Sequence, residues 1–273
     1  FIVVLKMGIA GAAWATFISY VISAMFTMFF FRSKRNEIRM SWAYLSLKAK
    51  LVKEIFAIGG VSFARQGSVT LLLAILNVRL FQYGGETGVA IYGIINRLMM
   101  FSLFPVMGLV QGSMPIIGYN FGAKNRERVL EVVKTAIKYG TGMGFVIILI
   151  IIVFSKNLVM VFTHDRDLIE QAPSAMIWVF LSTPLIASQL LGSAYFQAVG
   201  KAWPALWLTM TKQGFILIPL VLIMPKYLGM QGIWYSFPIA DLLATAITIS
   251  YLLVGLQKLS KLQPEVASIK AEG

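Results

Sequence analysis

The sequence predicts an all-α membrane protein, a polytopic helix bundle showing about seven transmembrane helices. Three features predict it. Apolar residues make up 58% of the 273 residues and charged ones 13%, with a mean hydropathy of +0.79, too apolar for a soluble domain of this length. The apolar residues gather into runs of about 20 or more, the length that crosses roughly 30 Å of hydrocarbon. The cations behind the net charge of +13 fall between those runs and do not form one basic face, so the charge speaks for membrane topology and against a nucleic-acid partner.

In order, the apolar runs fall near 8–31, 54–82, 87–117, 132–154, 168–198, 203–224 and 230–256. The connection after the first holds Arg32, Lys34, Arg35, Arg39, Lys48, Lys50 and Lys53, and the positive-inside bias makes it cytoplasmic. Alternation then puts Gly84 to Glu86, Ser155 to Asp167, and Pro225 with Lys226 outside. It puts Lys124 to Arg128, Gly200 with Lys201, and the tail inside, so the cation-rich connections share one face. Residues 1–31 are expected to end a first lobe, 32–53 to link it to a second lobe at 54–256, and 257–273 to form a cytoplasmic tail. The chain opens inside an apolar run at Phe1, so a piece lacking its preceding part is expected.

The third run, 87–117, carries Arg97 and two prolines, Pro105 and Pro115. Proline inside a bilayer-length helix frees a backbone carbonyl that only neighbouring helices or a watered cavity can satisfy, so a bend at Pro105 is expected. In 132–154, Gly140, Gly142 and Gly144 are small enough for close helix approach. A shift of 221 residues lays Gly8 on Gly229, Gly11 on Gly232 and Trp14 on Tyr235, the mark of a six-helix repeat.

Polar residues inside the runs are the candidates for function. Ser62, Gln66, Thr70 and Asn77 fall within an arc of about 80° on one helix. Interhelical hydrogen bonding and a polar lining of a transport path both explain that stripe, since lipid does not. Arg65 and Arg79 lie off it and are expected to snorkel. Trp203 and Trp234 fit interfacial anchors.

Asp241 is the acid deep inside a span, where an unpaired carboxylate is costly. The last two runs form a tight hairpin centred between Lys226 and Tyr227, and Lys212 and Asp241 are equally far from that centre. Both therefore sit about 16 Å from the outer end, with Arg97 at a similar depth. An ion pair between Lys212 and Asp241 follows, either structural or part of ion exchange, with Trp234, Thr245 and Thr248 on the same helical face. The sequence has no cysteine and one histidine, His164 in a loop, which leaves thiolate chemistry, a metal site and a histidine triad without support.

Several ordered motifs resemble one family. Gly8-Ile9-Ala10-Gly11-Ala12-Ala13-Trp14-Ala15-Thr16, Ala90 to Arg97, Gln111-Gly112-Ser113-Met114-Pro115-Ile116-Ile117-Gly118-Tyr119-Asn120-Phe121-Gly122-Ala123, and Phe196-Gln197-Ala198-Val199-Gly200-Lys201 are similar to the multidrug and toxic compound extrusion (MATE) exporters. The resemblance implies twelve helices in two six-helix lobes, exporting organic cations and amphipathic drugs by alternating access. It implies no resident cofactor, Na⁺ or H⁺ as coupling ion, membrane lipid as surroundings and the first lobe of the same protein as partner. Some members carry a glutamate in the seventh helix and an aspartate in the tenth; the matching runs here, Phe56 to Gln82 and Met176 to Ala198, have neither. Asp241, Lys212, Arg97, Gln66, Asn77, Thr70, Thr245 and Pro105 are then the candidates for the substrate path or for coupling. A lipid or oligosaccharide flippase of the wider superfamily is the alternative, and a membrane-embedded enzyme a more distant one.

Overall fold

The computed structural model describes residues 7–32 and 48–261, among which every regular element is helical. The chain divides into two compact units, Phe1–Ile58 and Gly59–Gly273. In the first, α1 (Gly8–Arg32) is a 25-residue helix that buries only Gly11 within the chain. Most of the expected 32–53 linker and of the 257–273 tail lies outside the described residues, as do the side chains of Ser62 and Arg65.

The second unit holds most of α2 (Ala49–Gly122), then α3 (Arg126–Met160), α4 (Arg166–Phe180), α5 (Thr183–Ala198), α6 (Ala202–Met210), a π-helical segment (Thr211–Leu217), α7 (Ile218–Ile223) and α8 (Pro225–Lys261). Among the described residues five helices are each long and apolar enough to cross a bilayer, and α4 with α5 makes a sixth crossing bent by 42°. The 57-residue apolar stretch Gln66–Gly122 is about twice the length of one crossing at 1.5 Å per residue, and it breaks at Gly85 (φ 58, ψ −154). Counting its two arms separately gives seven crossings.

Gly85 turns α2 back on itself, and Gly229 (φ 58, ψ −143) does the same at the head of α8. Only glycine takes such a left-handed conformation without a Cβ penalty. Gly8, which the 221-residue offset lays on Gly229, also has a positive φ (55). Gly85-Glu86-Thr87-Gly88 is a third copy of the spacing, absent from the sequence comparison above.

Two expectations about the spans change. The 168–198 run is two helices, because Ser182-Thr183-Pro184 stops one and starts the next, with proline in the first turn where its missing N–H costs nothing. The 203–224 run contains the π-helical segment. Backbone torsions stay helical through Pro105 and Pro115, and the break in α2 sits at Gly85.

The core is in two parts. One apolar cluster gathers Leu76, Leu80, Ile91 and Ile95 of α2 with Ile151, Met176, Leu217 and Ile233, toward the end where Gly85 and Gly229 turn. The other gathers Ile117, Val129, Val133, Leu191, Phe196 and Leu252, toward the basic end that holds Lys124, Arg126 and Arg128. Between them every crossing of the second unit after the first arm of α2 carries polar or small residues: Arg97, Gly140 with Gly144, Ser182 with Gln189, Lys212, and Asp241 with Thr245. At this waist α5 lies close on α3, since a Cβ added at Gly144 would sit 2.5 Å from Pro184 Cα and one at Gly140 would sit 2.6 Å from Ala187 Cβ. The close approach expected of these glycines is thus present, while Gly142 faces open space.

Candidate functional site

Asp241 lies one turn past Pro238 on the buried side of α8, with Thr245 and Thr248 following at helical spacing. Its side chain is 3% exposed. Three donors converge on the two carboxylate oxygens. Lys212 Nζ is 2.5 Å from Oδ1, Gln189 Nε2 donates to the same oxygen at 2.9 Å, and Ser182 Oγ donates to Oδ2 at 2.6 Å. Gln189 Nε2 also reaches Thr245 Oγ1 at 2.9 Å and the Asp241 carbonyl at 3.1 Å, so its two N–H groups are spread over three acceptors.

Two of the three partners arrive from irregular pieces of backbone, and Gln189 from within α5. Ser182 holds the N-cap position of α5 but makes no cap there; its hydroxyl goes across to α8 instead. Lys212 sits in the π-helical segment, whose wider turn holds an extra residue and re-aims the side chains around it. Below, Ser193 ties α5 to α6 through Thr209 Oγ1 at 2.6 Å and the Ala205 carbonyl at 3.0 Å. A broken helix, a π-helical turn and a proline-containing helix therefore meet at one carboxylate.

The pair expected from the hairpin depth is present, and Thr245 joins it through Gln189. Trp234 departs from the anchor expected of it: it is 3% exposed and belongs to the apolar cluster, because the turn at Gly229 carries it past the hairpin end into the core. Trp203 is exposed. Ser182 and Gln189 went unnoticed in the sequence, although Ser-Thr-Pro is a helix-start pattern and Gln189 interrupts an apolar run.

The remaining candidates are elsewhere. Arg97 is exposed on the second arm of α2, opposite the buried row Ile91, Ile95 and Leu98. Pro105 is exposed on the same arm, and Gln66, Thr70 and Asn77 are exposed on the first. Thr70 gives its hydroxyl to the Gln66 carbonyl at 3.1 Å, and among the described residues neither Arg97 nor the Gln66 and Asn77 side chains meet a polar partner. The interhelical hydrogen bonds open to this stripe are thus not formed among the described residues. Arg79 donates to Gln82 Oε1 at 2.8 Å.

Comparison with known proteins places this architecture. The MatE family model matches residues 62–223, more than half of the chain. The multidrug export protein MepA of Staphylococcus aureus (strain MSSA476) is 32% identical over 250 residues, which is 90% of this chain and 54% of MepA. MepA of Staphylococcus saprophyticus is 29% identical over 249 residues, again 90% and 54%. The chain spans about half the length of the curated relatives it matches. Among solved structures, an outward-facing multidrug resistance MATE family transporter of the MOP superfamily fits with a TM-score of 0.84 at 24% identity, over 96% of this chain and 59% of that one. Its inward-facing counterpart fits with 0.80 at 24% identity, over 96% and 61%. A multi-pass, all-helical membrane chain of this pattern, matched by the family model over most of its second unit, belongs to the MatE family of transporters.

Proposed function

We propose that this chain supplies the last helix of the first lobe and all of the second lobe of a multidrug exporter, coupled to Na⁺ or H⁺ and working by alternating access. Organic cations and amphipathic drugs are its substrates, and its basic end and C-terminus face the cytoplasm. The observation that carries the proposal is the kinship with MepA along 250 residues, half of that protein's length. Two features support it. Transporters bind at mid-membrane where helices are interrupted, and the waist of this unit is interrupted in α4 with α5 and again before α7. One fold fits both outward- and inward-facing relatives, as a lobe that moves as a unit would.

A flippase for polyanionic headgroups would need several accessible cations at this depth. Lys212 is committed to Asp241, which leaves Arg97 among the described residues. The test is the full-length gene in a host stripped of its own drug pumps, with resistance and dye efflux measured while Na⁺ and pH are varied. Gain of efflux that follows one of the two ions is expected; no gain with any amphipathic drug would overturn the proposal. The 273-residue chain alone should insert and not transport, and efflux from it would refute the two-lobe arrangement.

A further inference from the structure

We propose that the pocket around Asp241 is a monovalent-cation site that the chain fills with its own Lys212 ammonium. The ammonium meets Asp241 Oδ1, and further oxygen-bearing side chains gather around the carboxylate. Asp241 offers two carboxylate oxygens, and the hydroxyls of Ser182 and Thr245 and the carboxamide of Gln189 surround them. The carboxamide now presents Nε2; turned about its last bond it presents Oε1, so the pocket holds up to five side-chain oxygens from α8, α5 and the α4 to α5 break.

Charge decides which ion such a pocket takes. With one carboxylate and neutral oxygens it balances a single positive charge, whereas Ca²⁺ and Mg²⁺ sites draw on more carboxylate or on phosphate. Lys212 delivers that single charge at 2.5 Å from Oδ1. Its side chain is 19% exposed against 3% for Asp241, so the lysine is the more open partner of the pair. Without it the pocket would hold an uncompensated carboxylate lined by oxygen, in a setting where an unpaired charge is strongly disfavoured. A sodium ion from solution restores the balance.

An ordinary structural ion pair makes no such prediction, because removing the lysine would then leave a damaged site indifferent to the identity of the salt. In this protein, therefore, Na⁺ does not occupy the Asp241 pocket, and the lysine makes this lobe independent of Na⁺ there. The occupancy stands apart from drug export; only its consequence for coupling rests on the proposed function.

The test uses the full-length protein that carries this chain, purified in detergent, as wild type, Lys212→Ala and Lys212→Ala with Asp241→Asn. Radioactive sodium binding is measured at equilibrium, and Tm is compared in NaCl and in N-methylglucamine chloride of equal ionic strength. Differences between the variants cancel any sodium site in the other lobe. Lys212→Ala should bind about one more Na⁺ per molecule than wild type and gain a Na⁺-specific rise in Tm, as any ligand of the folded state gives. The double variant should lose both. No extra sodium in Lys212→Ala, or equal sodium in the double variant, overturns the proposal. So does sodium binding by wild type that Asp241→Asn removes. Lys212→Met, which keeps the lysine stem's packing, serves as the second variant. If both single variants fold in neither salt while the double variant folds, a sodium-filled pocket is not rescuing the site and the proposal fails.

Discussion

Charge is handled in opposite ways at two places of similar depth. Asp241 and Lys212 are drawn inward and closed over by Ser182 and Gln189, on helices broken or widened to reach each other. Arg97 stands outward on an uninterrupted arm of α2, with Gln66, Thr70 and Asn77 exposed on the other arm. A guanidinium at mid-bilayer depth does not face lipid cheaply, so the exposed side of α2 is a side for water, ligand or protein. The contrast teaches that irregular backbone marks the sealed charge, and regular helix the open one.

The harshest way to break the contrast is to unpair the sealed side. Asp241→Asn strands a buried ammonium and should cost about 3 kcal/mol, seen as lost membrane abundance and a lower Tm, with Lys212→Met in addition restoring most of it. Normal abundance in Asp241→Asn would put the pair on the same footing as Arg97. Next in size, Gly144→Val drives a side chain into Pro184 and should cost about 1–3 kcal/mol; moving α5 also shifts Ser182, so the loss should shrink when Asp241 and Lys212 are already replaced.

On the open side the ranking of stability and transport reverses. Arg97→Gln should change stability by no more than about 0.5 kcal/mol while lowering efflux severalfold in the full-length protein. A fall in abundance matching that of Asp241→Asn would show that Arg97 is packed against the other lobe and is not open. Pro105→Ala is the mildest: folded amount unchanged, efflux lowered less than by Arg97→Gln. Unchanged efflux would make Pro105 a static feature. Sidedness is checked with single cysteines in this cysteine-free chain, Asn157→Cys labelling from outside intact cells and Ala123→Cys not.

Much of this was legible from periodicity and composition. Hydropathy located the crossings, and counting residues on both sides of one hairpin matched Lys212 to Asp241, because helix rise is constant enough to convert sequence distance into depth. The count worked even though most of the π-helical segment lies between Lys212 and the hairpin. Neutral partners were harder. Ser182 and Gln189 bear no charge whose cost demands explanation, and a polar side chain in an apolar run looks the same whether it bonds its own helix, as Thr70 does, or a distant one. The break between α4 and α5 had a local signal in Ser-Thr-Pro, whereas the π-helical segment had none. Trp234 departs from the interfacial anchor that its place near a span end suggests, because the single-glycine turn at Gly229 carries α8 into the core within a few residues.

Those glycine turns also govern how the protein is made. In the proposed orientation every connection at the Gly85 and Gly229 end must be dragged through hydrocarbon as the chain leaves the ribosome. A turn made by one glycine brings few bare peptide groups with it, and its neighbours add a single charge apiece, Glu86 at one and Lys226 at the other. The connection between α3 and α4 is a heavier passenger, with His164 and Asp165 followed at once by Arg166 and Asp167. Residues 49–122 and 202–261 are thus ready to enter as closed hairpins, and α3 with its bent successor is the stretch for which the insertion machinery must hold the channel open longest.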